Sequence, residues 1–322
     1  NVVLGYLPAS AQLGGDMQID AALAGKALST IADALGKPVH EAAEGVVRIV
    51  NENMFGALRL VSIEQGYDPR DFALIAFGGA GPLHANALGV LMGSWPVIIP
   101  TAPGVLCAYG DATTQLRDEA SQTFIRRLDE TSDAEINQIF DRLAAHASKS
   151  LTDEGVPAAE QTVMVQIDLR YRGQATQLPI SFTPQEIAQG GLALVGRRFD
   201  DKHTQLYTFS LDAPKEIVNL RAIALGPQPR VKADPLARGT GEIAADAVMG
   251  NTEVFVDGRT WPARIYWRPG LKAGDRIVGP AIVSQMDTTT LILPEHTGVV
   301  DPYGHIMIWP NDRLPTSATS GD

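Results

Sequence analysis

The chain has 322 residues, 45% of them hydrophobic and 20% charged, enough for two or three separate cores and too apolar for a disordered chain. Its formal net charge of −11 argues against nucleic acid and anionic membrane surfaces as main partners. The single cysteine, Cys107, rules out an intrachain disulfide and a cysteine-based metal site within one chain, and fits a reducing, cytoplasmic setting.

No apolar run reaches the roughly 18 residues of a membrane span. The start, Asn1-Val2-Val3-Leu4, has neither an initiator Met nor a basic leader, so the chain is expected to begin inside a longer protein. Ile19, Leu23, Ala27, Leu28, Ile31 and Leu35 recur at helical spacing and stop at Gly36, a natural C-cap. Ala43, Val46, Val47, Val50, Met54, Ala57, Leu58 and Val61 mark a second, longer helix that ends by Gly66, before the Asp68-Pro69 turn. Phe72 to Phe77 is a continuous apolar run, the pattern of a strand buried on both faces of a sheet. Gly78-Gly79-Ala80-Gly81-Pro82 follows at once, then a helix over Leu83–Leu91 with Pro82 in its first turn, then a short buried strand, Val97–Ile99.

From about residue 120 the pattern changes. Ser132–Leu151 reads as an amphipathic helix with a capping-box start, Ser132 and Glu135. Val163, Val165, Ile167, Leu169 and Tyr171 alternate with more polar residues, as in a half-exposed strand, and Gln177–Phe182 reads as its hairpin partner. A helix near Leu192–Leu206 and a strand near Glu216–Leu225 complete an α+β module. Pro227–Ala245 reads as a linker. Short strands and turns follow to Trp309, with hairpin turns at Asp257-Gly258 and Tyr303-Gly304, and a tail expected to be disordered from Asp312. The expected domains are therefore 1–120, an α/β lobe; 121–230, an α+β module; and 231–322, a linker with a small all-β module.

The glycine turn is the strongest candidate site. Glycines let a backbone approach a ligand closely, and the first N–H groups of the next helix favour an anion. A plain tight turn between strand and helix accounts for the same residues. The spacing is wrong for a dinucleotide fingerprint, and the Gly-Lys-Ser/Thr of a phosphate-binding P-loop is missing, which leaves the actin/sugar-kinase type of turn. His84, in the first helical turn, is a weak catalytic candidate, with a hydrogen bond to a neighbouring loop as the plainer role. Asp111, Asp118 and Glu119 read as a cation or domain contact, or as solvated surface. Cys107 reads as a small packed residue, and Trp261, Trp267 and Trp309 as core. His40, His146, His203, His296 and His305 lack metal-ligand spacing, so no metal site is expected within the chain.

The run from Tyr67 to Ala85 closely resembles a signature stretch of hydantoinase A and 5-oxoprolinase proteins. Pro100 to Gly110 resembles their next signature loop, with Cys107 where the family often has serine. Asn1 to Leu7 with Leu13-Gly14-Gly15, and Gly279 to Val283 with Asp287-Thr288-Thr289-Thr290, extend the resemblance in order over nearly the whole chain. It implies a partial actin-like ATPase lobe, of the type shared by sugar kinases and heat-shock chaperones, followed by the α+β and all-β modules. Gly78, Gly79, Ala80 and Gly81 would hold ATP, with Mg²⁺ in the full-length protein. The family's phosphate loop and catalytic acid would lie before Asn1, so this segment alone is expected to be inactive. The implied activity is ATP-dependent opening of a cyclic amide, by phosphorylation of its carbonyl oxygen. Ketone carboxylation and a non-catalytic, partner-binding scaffold are the alternatives. The implied partner is a hydantoinase B-type subunit, and a homo-oligomer is also compatible.

Overall fold

The computed structural model describes residues 1–8, 12–13, 17–229 and 233–315. Gly14-Gly15, residues 230–232 of the 227–245 linker and the tail beyond residue 315 lie outside the described residues. The chain is mixed α/β with several sheets and divides into two compact units, Asn1–Asp111 with Lys232–Asp322, and Ala112–Val231.

In chain order the first unit opens with a small ribbon, β1 (Gln12–Leu13) and β2 (Met17–Gln18). Helix α1 (Ala21–Leu35) starts where the Asp20 carboxylate accepts from Leu23 N and ends at Gly36, whose φ of 61° only glycine adopts readily. Helix α2 (Val39–Val61) follows Pro38 and ends at Ser62. The next elements are β3 (Leu74–Ile75), α3 (Gly81–Met92), β4 (Val97–Ile99) and α4 (Leu106–Ala112). Parallel pairing of β3 with β4 across α3 gives the expected strand–turn–helix–strand unit.

The apolar run is not a doubly buried strand. Only Leu74 and Ile75 join the ladder, and Phe72, Ile75 and Phe77 are 51%, 53% and 50% exposed. The reason is topological. The sheet ends at β3, so among the described residues nothing pairs with its outer edge. The helices show the same departure: Leu23, Ile31 and Leu35 on α1, and Val46, Val50 and Val61 on α2, are exposed.

The second unit contains β5 (Arg117–Arg127), α5 (Asp133–Asp153), β6 (Thr162–Tyr171), β7 (Leu178–Phe182), α6 (Pro184–Tyr207) and β8 (Lys215–Leu225). The antiparallel sheet, ordered β5-β8-β6-β7, packs against both helices through one core that includes Phe140, Ile167, Leu169, Phe199 and Leu220. Strand β5 is polar and escaped the sequence reading. Ser132 caps α5 through Glu135 N, but the Glu135 carboxylate turns to Arg126, so that box is half made. The complete capping box is at Thr183 and Glu186 on α6. That helix kinks at Gly191 (φ 55°), where the Asp133 carboxylate accepts from Leu192 N.

The rest of the first unit is β9 (Val248–Val256), β10 (Arg259–Trp267), β11 (Arg276–Val278), β12 (Ala281–Ser284), β13 (Thr289–Ile292), β14 (His296–Val300) and β15 (Ile306–Pro310). These strands do not form a separate module. Strand β15 pairs antiparallel with β4, through Ile306 and Ile99, in a five-stranded sheet ordered β11-β14-β15-β4-β3. A four-stranded sheet, β13-β12-β10-β9, shares a core with it that contains Val97, Ile99, Ile277, Val283, Ile306 and Ile308. Residues 1–111 thus share their core with a segment more than 130 positions later, which supplies most of its buried residues. The Asp257-Gly258 turn has both residues at positive φ, as a tight hairpin needs. None of Trp261, Trp267 and Trp309 is fully buried, and Trp267 is 37% exposed. Asn311–Arg313 form a short 3-10 turn where disorder was expected to begin.

Candidate functional site: three loops around the glycine turn

The turn after β3 is held from two sides. Gly78, at φ 87°, donates its N–H to the Pro103 carbonyl at 2.7 Å. The Thr288 hydroxyl donates to the Gly79 carbonyl at 2.7 Å. The third side closes the ring, because Gly104 N donates to Asp287 Oδ2 at 2.8 Å. Three loops distant in sequence, 77–82, 101–105 and 285–288, therefore meet.

Behind them Gln285 Nε2 donates to Asp287 Oδ1 and to the Thr101 carbonyl. Arg268, 7% exposed, donates Nη1 to Gln285 Oε1 at 2.7 Å and Nη2 to the carbonyls of Ile99 and Gly304. Burial pushes its guanidinium down to about 10, while Asp287 and Asp301 act in the opposite sense. It stays a cation at neutral pH, and its donors fix the loop that carries Asp287.

Two kinds of glycine sit in this cluster. A Cβ on Gly104 would lie 2.7 Å from Asp287 Cβ, so the close approach of the two loops requires glycine. Around Gly78 and Gly81 a Cβ would meet nothing within 4 Å, and at Gly79 only the Asp287 carbonyl, at 3.7 Å. Their space is open. Helix α3 begins beside it with Ala80 as N-cap, which has no side chain to cap it; Pro82 has no N–H and Leu83 N donates to the Ala80 carbonyl, which leaves the Gly81 N–H. Open space beside an uncapped helix start suits an anionic ligand.

His84 lies one turn into α3, half-buried, with Nδ1 2.8 Å from Asn51 Oδ1 on α2. That partner is an acceptor, so Nδ1 carries the proton. Burial lowers the imidazole pKa. The plainer role, a tie to a neighbouring element, is what the geometry provides. Cys107 is exposed on α4, not packed. Asp118 and Glu119 lie on β5 in the second unit; a hydrogen bond from Ser150 lowers the Asp118 carboxyl, and Glu119 pairs with Arg117 and Arg221. Among the described residues no group of three His, Cys, Asp or Glu is placed to hold a metal, and no helix is long and apolar enough to cross a membrane.

Arg268, Gln285 and the Asp287–Gly104 contact were not singled out from sequence. The available signal was a polar run, Thr288-Thr289-Thr290, lying between apolar strands and itself buried.

Two family profiles match in succession: hydantoinase/oxoprolinase over residues 1–120, and the hydantoinase/oxoprolinase C-terminal domain over 126–305. The chain belongs to the hydantoinase/oxoprolinase family. It is 34% identical over 96% of its length to an uncharacterised protein of Methanocaldococcus jannaschii, and 32% identical over 94% to caprolactamase subunit alpha of Pseudomonas jessenii. It covers 43% and 44% of those relatives, so it spans under half their length. The crystal structure of ATP-dependent caprolactamase from Pseudomonas jessenii superposes with a TM-score of 0.86 at 30% identity, over 96% of this chain and 46% of that one. Nucleotide-free acetone carboxylase shares the fold at a TM-score of 0.70 and 22% identity, over 96% of this chain and 45% of that one. Several family relatives are named as subunits of larger enzymes.

Proposed function

We propose that the protein to which this chain belongs opens a cyclic amide at the expense of ATP, with the turn Gly78–Gly81 on the nucleotide. The observation that carries the reading is the open space at Gly78, Gly79 and Gly81 beside the uncapped start of α3, pinned by Thr288 and by the Pro103-Gly104 loop. A lactam carbonyl is a poor electrophile because of amide resonance. Phosphate transfer to its oxygen gives an imidate-type ester that water can open, and a protein assists such a step chiefly by positioning and charge stabilisation. In this chain Gly79 and Gly81 let the backbone approach the nucleotide, the Gly81 N–H at the start of α3 favours its negative charge, and Asp287 and Arg268 hold the loops that set the turn. Mg²⁺ would accompany the nucleotide's phosphates.

The 32% identity to a caprolactamase subunit favours the lactam as substrate class. The 26% identity to the acetone carboxylase beta subunit of Xanthobacter autotrophicus supports a second reading, activation of a ketone for carboxylation by the same phosphorylation logic. A second, B-type subunit is part of either proposal. Turnover is expected from the full-length protein with its partner, and none from these 322 residues alone.

The test is phosphate release from ATP and Mg²⁺ by the full-length protein and its co-expressed partner. Caprolactam, 5-oxoproline, hydantoin, and acetone with bicarbonate are offered in turn. Stimulation by a cyclic amide supports the first reading, stimulation by the ketone alone replaces it with the second, and stimulation by none contradicts both.

A further inference from the structure

A cavity of about 730 Å³ opens between the β9–β10 ribbon and β11. It shares no residue with the three-loop cluster, and its volume is that of a small-molecule site. Strand alternation builds its walls. Arg264 and Tyr266 are two positions apart on β10, so both side chains leave the same face, and Asn251 of β9 lies directly opposite Arg264. Arg276 and Val278 present one face of β11 in the same way. Strand β9 carries a bulge here: Ile265 pairs with Gly250 but Tyr266 with Val248, which leaves Met249 as the extra residue. Bulges commonly re-aim side chains beside binding sites.

The charges in the cavity are unspent. Neither Arg264 nor Arg276 makes a side-chain hydrogen bond or ion pair among the described residues, although the chain as a whole carries 37 acidic against 26 basic residues. Glu242 is the one carboxylate on the lining, and it pairs with neither arginine, which leaves the lining net positive. A guanidinium is the group best matched to a carboxylate, by two parallel N–H···O bonds. Tyr266, whose ring belongs mostly to the core, and the exposed Val278 add apolar surface to the same lining.

We propose that this cavity binds a small organic carboxylate, its head on Arg264 and Arg276 and its hydrocarbon body against Tyr266 and Val278. The assignment does not rest on the ATP reading. Two guanidiniums disfavour a cationic ligand, and a bare inorganic anion would leave the apolar wall unused.

The test is a calorimetric titration of the full chain with hexanoate, with hexylammonium and inorganic phosphate in parallel. Hexanoate should saturate in the millimolar range or below, phosphate should bind about tenfold more weakly, and hexylammonium should not bind. Arg264→Gln and Arg276→Gln, both at exposed side chains, should each weaken hexanoate about tenfold with the melting temperature unchanged. Val278→Trp puts a bulky ring where the hydrocarbon body is assigned without changing charge, and should weaken hexanoate at least about tenfold. Absence of hexanoate saturation, equal binding of phosphate and hexanoate, or full binding by the arginine or tryptophan variants would overturn the proposal.

Discussion

In the second unit, Val165, Ile167, Leu169 and Tyr171 alternate along β6 and are each at most 1% exposed, beneath α5 and α6. In residues 1–111, Phe72, Ile75 and Phe77 leave half their surface in water, and Ile49 and Val61 on α2 are 64% and 69% exposed. Both regions are rich in apolar residues at regular spacing. They differ in what stands opposite. The antiparallel sheet of the second unit carries its own two helices, whereas β3 is the last strand of its sheet and, among the described residues, nothing covers the outer faces of α1 and α2. Apolar periodicity specifies a face; burial requires a partner for that face.

The comparison is tested most harshly by cutting the chain. Residues 112–229, which hold a complete core, should fold alone and unfold in urea as one sigmoidal transition. Residues 1–111 alone should show none, because β4 loses its pairing with β15. A cooperative transition from 1–111 would show that its core is self-sufficient. Single truncations sharpen the contrast. Phe199→Ala, at a fully buried ring, should cost about 3–5 kcal/mol in denaturant unfolding, whereas Phe77→Ala should cost less than about 1 kcal/mol. Comparable losses would mean that the β3 edge is covered.

The open outer face does not make residues 1–111 loose throughout. Gly104→Ala forces a methyl onto Asp287 and should destabilise by about 1–3 kcal/mol, whereas Gly79→Ala meets only an ordinary contact and should cost under about 1 kcal/mol. Urea midpoints of the two variants decide. The smallest effect is expected on the surface of the second unit. The hydrogen bond from Arg198, then that from Thr183 N, lowers the Glu186 carboxyl from 4.5 to about 2. A depressed carboxyl stabilises the fold above its unfolded value and loses that contribution as pH falls toward the folded one. Arg198→Gln should therefore flatten the dependence of melting temperature on pH between about 4.5 and 2, and leave it unchanged near neutrality. An unaltered acid profile would show that the pair is fully screened by solvent.

Much of the second unit was legible because its signals are local. Alternation in β6, the Ser132 cap of α5 and the hairpin to β7 need no knowledge of distant residues. Strand β5 was missed because only two of its eleven residues, Ala120 and Phe124, are buried, and its pairing with β8 is set about a hundred positions away. In the first unit the strand–glycine turn–helix order was legible, and so was the Gly36 stop of α1. The union of residues 1–111 with the last strands was not, since the β4–β15 pairing leaves no local mark. The same holds for the site. Gly78 to Gly81 stand out in sequence, but the contacts that fix them come from Pro103, in another loop, and from Thr288, about 200 positions later.

The nucleotide assignment of that turn is tested most directly by calorimetric titration of ATP with Mg²⁺ into the full-length protein and its Gly79→Val variant. Gly79 has no positive φ, and a Cβ there meets nothing closer than 3.7 Å, so valine should leave the fold intact while filling the space assigned to the nucleotide. The account predicts that ATP affinity falls at least about tenfold with the melting temperature nearly unchanged. Equal affinity in parent and variant would remove the glycine turn from the nucleotide site.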